Sequence, residues 1–318
     1  MSFSANVKEE LSGTSGHSRH CQIAELQAIF TLCGGISIST RDQVRIRIRT
    51  ENVYVVRKFA LLARTQFGIF PQVRVTCQGR KNAARSYTAA VRGHADSLKI
   101  LRAVDLITPS LDIRENLQIE GNEILRRDCC RRAFLRGAFL ACGSISDPNK
   151  SYHMEIVCPS GAKAEQIREL IRYFELDPKI VQRKGSWIVY LKEGAQIVDM
   201  LNVFGAHQCL MELENIRILR EISNHVNRKV NCETANISKT VTAACKQAED
   251  IRYIQAHGGL GQLPQNLQET AYLRLEEPDM PLAMLGEIHQ PPIGKSGVNH
   301  RLRKISEIAD QIRSQTMS

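Results

Sequence analysis

The sequence predicts an α+β protein, in which two similar α/β halves precede a region that is helical throughout. A short pattern occurs twice, in AELQAIFTLCGGIS and FLRGAFLACGSIS, where a small residue comes five positions before a cysteine and glycine follows. The marker cysteines, Cys33 and Cys142, are 109 residues apart, and each copy is followed by strand-like and helix-like periodicity. Beyond about Leu219 the spacing is helical only, which indicates a separate all-α domain.

The first half, at about residues 21–110, continues from its copy of the pattern into a strand. In RDQVRIRIRT, apolar Val44, Ile46 and Ile48 alternate with arginines, so the two sets lie on opposite faces. VVRKFALLARTQFG predicts an amphipathic helix that ends at Gly68. PQVRVTCQG and YTAAVRG predict two further strands, joined by the loop GRKNAARS.

The second half, at about residues 129–210, has the same plan. SYHMEIVCPS predicts a strand and GAKAEQIRELIRYFEL a helix, while PKIVQRKGSWIVYLKEG predicts a hairpin that turns at Lys184–Gly185. We therefore expect residues 1–210 to form one domain from two pseudo-symmetric repeats.

Residues 220–318 are expected to form the helical domain, with the boundary between about Phe204 and Arg220. Three segments have helical spacing: NIRILREISNHVNRKVNCETANIS, KTVTAACKQAEDIRYIQAHGG and LPQNLQETAYLRLEEP. Residues 279–312 then predict a helix-turn-helix. Asp279 is the expected cap of its first helix, which carries Leu282, Leu285 and Ile288 on one face and ends before Pro291 and Pro292.

The second helix of this motif is expected to begin near Lys295. Val298, Leu302 and Ile305 would form its buried stripe. We expect Asn299 and Arg301 to contact base edges in the DNA major groove. The expected phosphate contacts are Lys295, Ser296, Arg303 and Lys304, and His300 is interpreted as another such contact and not as a catalytic base. The alternative is an ordinary solvated helix in a small bundle.

Charge also indicates a polyanionic partner. The formal net charge is +10, with 31 Lys and Arg against 22 Asp and Glu in residues 1–219 and 12 against 11 in residues 220–318. The arginines of the first repeated half are predicted to form a second nucleic-acid or partner surface: Arg41, Arg45, Arg47 and Arg49. A plain solvent-exposed strand face is the alternative.

Other compositional features narrow the class of protein to which the chain can belong. No apolar run reaches the ~20 residues that span a bilayer, and MSFSANVKEELSG has no apolar signal core, so we expect a cytoplasmic protein without a membrane partner. The ten cysteines include no CxxC pair. We therefore expect them to be mostly buried apolar residues, with no metal, no cofactor and no small-molecule substrate.

Five stretches in order resemble the WhiA family, the sporulation and cell-division transcription regulators of Gram-positive bacteria: RRAFLRGAFLACGSISDP, KSYHMEIV, RKGSWIVYLKEG, NCETANISKTV and PPIGKSGVNHRLRKI. The resemblance implies a degenerate LAGLIDADG homing-endonuclease-like domain followed by a helix-turn-helix domain. The nine-letter motif falls on Leu26–Gly34 and Leu135–Gly143, which puts Cys33 and Cys142 at the acidic positions that hold the divalent metal in active endonucleases. Ala28, Gly34, Gly137 and Gly143 would keep the close packing of the motif helices.

Since thiols are poor ligands for Mg²⁺, we expect no catalytic residues and no nuclease activity. The expected function is sequence-specific DNA binding as a transcription regulator in cell division, chromosome segregation and sporulation. Its partners would be promoter DNA in the nucleoid and a protein co-regulator. The alternatives are a protein-interaction scaffold on a dead endonuclease fold and a divergent metal-dependent DNA endonuclease.

Overall fold

The computed structural model describes residues 2–316 except 15, 17, 40–42, 78–84, 109, 111, 116, 120 and 121. The chain divides into two compact units, residues 1–220 and 221–318. None of the described helices is both long and apolar enough to cross a membrane.

The first unit begins with a helix that the sequence analysis did not predict, α1 (Phe3–Gly13). The Ser2 side chain accepts a hydrogen bond from the backbone N–H of Ala5 and so caps the helix. Its buried residues, Phe3, Val7 and Leu11, are spaced by four and face the core of the second repeat.

Two repeats of identical topology follow, which confirms the duplication. The first comprises α2 (Arg19–Cys33), β1 (Gly34–Ile38), β2 (Val44–Thr50), α3 (Val53–Phe67), β3 (Gln72–Cys77), β4 (Arg85–Val91) and α4 (His94–Ala103). The second comprises α5 (Asp128–Cys142), β5 (Gly143–Ile145), β6 (Met154–Cys158), α6 (Gly161–Arg172), β7 (Lys179–Arg183), β8 (Ser186–Leu191) and α7 (Gly194–Phe204). Their antiparallel sheets have the orders β1-β2-β4-β3 and β5-β6-β8-β7.

The local predictions within the repeats are confirmed. β2 alternates buried and exposed residues along its length, and α3 ends at Gly68, whose left-handed φ of 70° suits glycine. The β7–β8 hairpin turns at Lys184 and Gly185, with φ of 50° and 81°, as a two-residue type I′ turn requires. Most of the loop GRKNAARS lies outside the described residues.

Helices α2 and α5 pack against each other at the centre of the unit and run parallel. At their N-terminal ends His20 Nδ1 lies 3.1 Å from Cys130 Sγ, and at their C-terminal ends Cys142 Sγ lies 3.8 Å from the Leu32 carbonyl oxygen. A Cβ on Gly137 would lie 2.6 Å from the Glu25 carbonyl oxygen, so this glycine permits the close approach.

Gly34 and Gly143 have a role that the sequence analysis did not expect. A Cβ on either would collide with the phenylalanine and carbonyl oxygen four residues earlier in its own helix, Phe30 or Phe139. They allow the chain to leave the helix, and their role in the contact between the two helices stays a prediction.

The second unit contains part of α8 (His207–His257), then α9 (Gln265–Glu276), α10 (Leu282–Glu287) and α11 (Lys295–Thr316). The first two predicted helical segments of the domain therefore lie in one continuous helix, α8. The core of the unit includes Leu285 from α10 and the predicted stripe of α11, namely Val298, Leu302 and Ile305, all buried.

Two details of the predicted helix-turn-helix are wrong. Pro281 is the N-cap residue of α10, so Asp279 does not cap the helix. Ile288 is 44% exposed, whereas His289 is buried, with Nδ1 2.7 Å from the Leu285 carbonyl oxygen and Nε2 2.9 Å from the Thr270 hydroxyl. The helix ends one residue before the last position of its apolar spacing, and a polar residue that finds partners, His289, replaces Ile288 in the interior.

Candidate nucleic-acid interfaces

The exposed face of α11 carries two parallel rows of polar and cationic side chains. Residues four apart in a helix lie on the same side, so Lys295, Asn299 and Arg303 form one row. The second row consists of Ser296, His300 and Lys304. All six are exposed, while the opposite side of the helix is buried in the core. A helix about 10–12 Å wide with such a face fits the major groove of B-DNA, which is about 12 Å wide.

Arg301 lies apart from these rows. Its Nη1 donates to the Asn266 carbonyl oxygen at 3.2 Å and lies 3.8 Å from the Glu269 carboxylate, so the side chain is held against α9. Only 21% of the side chain is exposed. These contacts hold α11 on its support, which favours a supporting role for Arg301 over the base contact expected from the sequence.

The turn between α10 and α11 is set by a close backbone approach. The Ile293 N–H donates to the Gly286 carbonyl oxygen at 2.9 Å, and a Cβ on Gly286 would lie 2.2 Å from the Ile293 carbonyl oxygen. Further along α11, Arg313 pairs with the buried Asp250 of α8 at 2.8 Å. These contacts hold the helix at both ends and leave its polar rows free to face a ligand.

A groove of about 380 Å³ lies beside the start of α11 within the second unit. Lys295 and Asn299 line it together with Lys239 and Thr240 of α8. Sequence reasoning did not select Lys239, because nothing in its local pattern places that part of α8 beside α11. The groove adds one more cation next to the proposed DNA-facing rows.

The second cationic surface is the open face of the β1-β2-β4-β3 sheet. Arg45, Arg47 and Arg49 are exposed along β2, as predicted, and Arg41 lies outside the described residues. Arg49 is opposite Thr88, which is opposite Arg74 on β3, so the cations continue across the sheet. A groove of about 720 Å³ on this face is lined by residues that include Arg47, Arg49, Arg74 and Arg92.

Arg74 and Arg92 were missed in the sequence, although the alternation in QVRVTC was a usable signal for Arg74. The pseudo-equivalent face of the second sheet has a different character. One row of cross-strand neighbours on that face is polar and runs through Lys179, Tyr190, Glu155 and Ser144. The next row is apolar and consists of Val181, Ile188 and Val157. Only the first sheet therefore presents a predominantly cationic face.

The lost acidic positions, Cys33 and Cys142, lie at the C-terminal ends of α2 and α5. Burial raises the pKa of the Cys33 thiol to about 12 and also raises the pKa of the Cys142 thiol. The ammonium of Lys8 on α1 interacts electrostatically with both. Soft thiol ligands beside a lysine do not fit Mg²⁺, which prefers carboxylate oxygen.

Other acids near this position do not replace the lost pair. Glu51 is the one carboxylate among the described residues that line a cavity of about 550 Å³ with Lys8 and Ala141. Asp147 is exposed and accepts hydrogen bonds from the backbone and side chain of Asn149, so it stabilises a turn.

The expectation that most of the ten cysteines are buried is wrong, because four are buried, two are half-buried and four are exposed. The absence of CxxC pairs suggested that they were scattered, but three of them meet a histidine between the two repeats. His20, Cys21, Cys129 and Cys130 place one ligand atom each within 4.8 Å of all the others. The pair His20–Cys21 lies 109 residues before the pair Cys129–Cys130. This is not a recognised spacing of zinc ligands, so only the packing of α2 on α5 reveals the cluster.

The fold and these surfaces define a protein with a duplicated LAGLIDADG-like unit and a helix-turn-helix domain. Three family models match in chain order: the WhiA N-terminal LAGLIDADG-like domain at residues 19–107, the WhiA LAGLIDADG-like domain at 131–223 and the WhiA C-terminal HTH domain at 226–309. The chain belongs to the WhiA family.

Relatives match over the full length. The chain is 48% identical to a probable cell division protein WhiA of Alkaliphilus oremlandii, covering 98% of each chain, and 42% identical to that of Alkaliphilus metalliredigens, covering 100% of each. The crystal structure of full-length WhiA from Thermatoga maritima aligns with a TM-score of 0.58 at 23% identity, covering 98% of this chain and 99% of that one, and so shares the fold.

Proposed function

We propose that this protein is a sequence-specific regulator that binds double-stranded promoter DNA through α11 and has no nuclease activity. The observation that carries the proposal is the pair of exposed rows on α11, supported by an apolar stripe on its buried side. The family's helix-turn-helix model covers this helix, and the relatives are named probable cell division proteins. We place its action at the promoters of cell-division genes, with chromosome segregation and sporulation as related processes in the nucleoid.

The roles on α11 follow from side-chain chemistry. Asn299 can form a bidentate pair with adenine, and it lies in the middle of its row. Lys295, Arg303 and Lys304 carry the charges that neutralise phosphates, with Ser296 and His300 as neighbouring hydrogen-bonding groups. Arg301 acts indirectly, because its contacts with α9 fix the angle at which α11 enters the groove.

The absence of nuclease activity is inferred from the ligand chemistry. Hydrolysis of DNA by a two-metal route needs oxygen ligands at the ends of both motif helices. Cys33 and Cys142 supply thiols whose pKa values are raised by burial, and Lys8 lies beside them. The same unit is therefore proposed to serve in DNA contact and in binding a protein co-regulator.

The proposal is tested by incubating the full-length protein with sheared genomic DNA and Mg²⁺, then sequencing the retained fragments and their ends. Intact fragments enriched for one short motif are expected. Newly cut ends would contradict the argument from Cys33 and Cys142. Retention without an enriched motif would contradict sequence-specific binding and favour the scaffold.

Replacing Arg303 by alanine tests the role of α11 directly. One lost phosphate contact is expected to weaken binding to all sequences alike and to reduce the slope of log K against log salt by about 0.9. Fluorescence anisotropy over a salt series measures this slope. Arg172→Ala on α6 is the control, since Arg172 is an exposed arginine that belongs to neither cationic surface. An unchanged slope for Arg303→Ala would remove this residue from the interface.

A second function is favoured by the difference between the two sheets. If both open sheet faces bound nucleic acid, both would be expected to be cationic. The β5-β6-β8-β7 face instead has an apolar row beside its polar groups, formed by Val181, Ile188 and Val157. Such a mixed surface suits a protein partner. We assign the co-regulator to this face and polyanion contact to the face that carries Arg47 and Arg49.

A further inference from the structure

The cluster of His20, Cys21, Cys129 and Cys130 lies where the two repeats meet. His20 and Cys21 belong to the first turn of α2, and Cys129 and Cys130 belong to the first turn of α5. His20 Nδ1 lies 3.1 Å from Cys130 Sγ, 3.3 Å from Cys21 Sγ and 3.9 Å from Cys129 Sγ. One nitrogen therefore faces three sulfur atoms, each contributed by a different residue.

These separations match the edges of a metal tetrahedron. With Zn–S bonds of about 2.3 Å and Zn–N bonds of about 2.0–2.1 Å, tetrahedral geometry places nitrogen about 3.5 Å from sulfur and sulfurs about 3.8 Å apart. The observed nitrogen–sulfur distances lie on both sides of this value, and all four atoms are within 4.8 Å. Small side-chain rotations would complete the coordination.

The chemistry of the ligand set selects the metal. Three thiolates and an imidazole are the ligands of structural zinc sites, and they are unsuited to Mg²⁺ or Ca²⁺. We propose that His20, Cys21, Cys129 and Cys130 bind one structural Zn²⁺ ion that joins the N-terminal ends of α2 and α5. This site is separate from the lost metal positions, which lie at the opposite ends of the same two helices.

Helix electrostatics support the site. Because α2 and α5 run parallel, their N-terminal ends put two partial positive charges side by side, which is unfavourable. A Zn²⁺ ion with three thiolates carries a net charge of −1 and offsets both.

The burial of the ligands fits a site that a metal can enter. Cys21 and Cys130 are buried, His20 is half-buried and Cys129 is exposed. The exposed thiol provides the route from solvent, and the buried pair shields the bound ion. Cys21, Cys129 and Cys130 are free thiols in the structure, so all three are available as ligands.

The test is to purify the full-length protein without chelators from cells grown with added zinc, and to measure the metal by mass spectrometry. About one zinc per chain is expected. After removal of the metal under reducing conditions, addition of Co²⁺ alone is expected to produce the visible absorption of a tetrahedral site and a near-ultraviolet sulfur-to-cobalt band. These spectra report on thiolate ligation in the unmutated protein.

Cys129→Ser is the informative variant, because an exposed cysteine can be replaced without disturbing the core. It is expected to weaken zinc binding at least tenfold in a competition titration with a chromophoric chelator, whereas Cys232→Ser on α8, also exposed, should retain full binding. Less than one-tenth equivalent of zinc together with no cobalt–sulfur band would overturn the proposal. Equal zinc binding by both variants would also overturn it, as would a native disulfide among the three cysteines.

The zinc proposal stands independently of the regulatory function. The metal content is measured without DNA, and the genomic selection is measured without altering the cluster. Failure of either experiment therefore leaves the other result interpretable.

Discussion

Glu25 shows at the scale of single residues how the two repeats are held in register. Its carboxylate is fully buried on α2, where it lies 3.1 Å from Lys58 Nζ of α3 and 3.2 Å from Arg136 Nε of α5. Burial raises the pKa of the Glu25 carboxyl and lowers that of the Lys58 ammonium, and the charge of each partner opposes the shift. Lys58 also donates to the Leu11 carbonyl oxygen, and Arg136 donates to that of Phe204.

Replacing Lys58 by methionine is expected to destabilise the first unit by about 3–5 kcal/mol, because it leaves a buried carboxylate with one partner fewer. Urea unfolding followed by the fluorescence of Trp187, the single tryptophan, measures this change in the correct unit. Lys179→Met removes an exposed ion pair with Asp177 and should barely move the midpoint. Equal midpoints for both variants would show that the buried cluster does not stabilise the unit.

Arg301 and Arg303 show the limit of residue-level prediction. Both are arginines on the polar side of an amphipathic helix, and both were expected to contact DNA, Arg301 at base edges and Arg303 at phosphates. Arg303 is exposed, but Arg301 contacts α9 because that helix passes beside it. Local periodicity gives the direction in which a side chain leaves its helix, and the position of a neighbouring element decides what it meets there.

At the scale of elements, the packing of α2 on α5 organises the first unit. The sequence pattern located both helices correctly, and Gly137 lies where a side chain would collide with Ala28 and the Glu25 backbone. Helix α1 was missed, although Ser2 and the four-residue spacing of Phe3, Val7 and Leu11 were a legible signal. The local sequence signal of α1 is weak because the helix is short and polar in composition, and its stability comes from tertiary contacts.

The substitution Gly137→Ala is expected to lower the stability of the first unit by about 1–3 kcal/mol, since the added methyl group would collide with backbone on α2. Gly13→Ala serves as the matched control, because a Cβ there meets no heavy atom of the described residues within 4 Å. That change should leave the unfolding free energy unaltered or raise it slightly. If the two variants unfold alike in urea, close packing at Gly137 is not required.

At the scale of the whole molecule, the duplicated sheets have diverged in charge. The first has arginines on neighbouring strands of its open face, and the second has a mixed polar and apolar face. The two sheets have identical strand order but different surfaces, which supports our proposal that they serve different partners. The sequence revealed the arginine row of β2, but the extension to Arg74 depended on strand register.

Reversing Arg45, Arg47 and Arg49 to glutamate is expected to reduce the salt slope of DNA binding by about two units or more, if each arginine contacts one phosphate. Lys179→Glu with Arg183→Glu on the second sheet is the matched control and should leave the slope unchanged. Fluorescence anisotropy on a fragment from the genomic selection provides the measurement. Unaltered DNA binding by the triple variant would reassign the first sheet to a protein partner.

The sequence by itself determined the duplication, the order of the elements that it predicted within each repeat and the apolar stripe of α11, although β1, α4, β5 and α7 were not predicted. That Cys33 and Cys142 replace metal-binding acids is what the family resemblance implies. These features are encoded in periodicity and in residue identity at fixed local spacing. Tertiary structure alone decided that His20 meets three cysteines, that Lys58 meets Glu25 and that Arg301 turns towards α9. The physical reason is that such contacts join segments far apart in the chain, and their geometry depends on how whole helices pack.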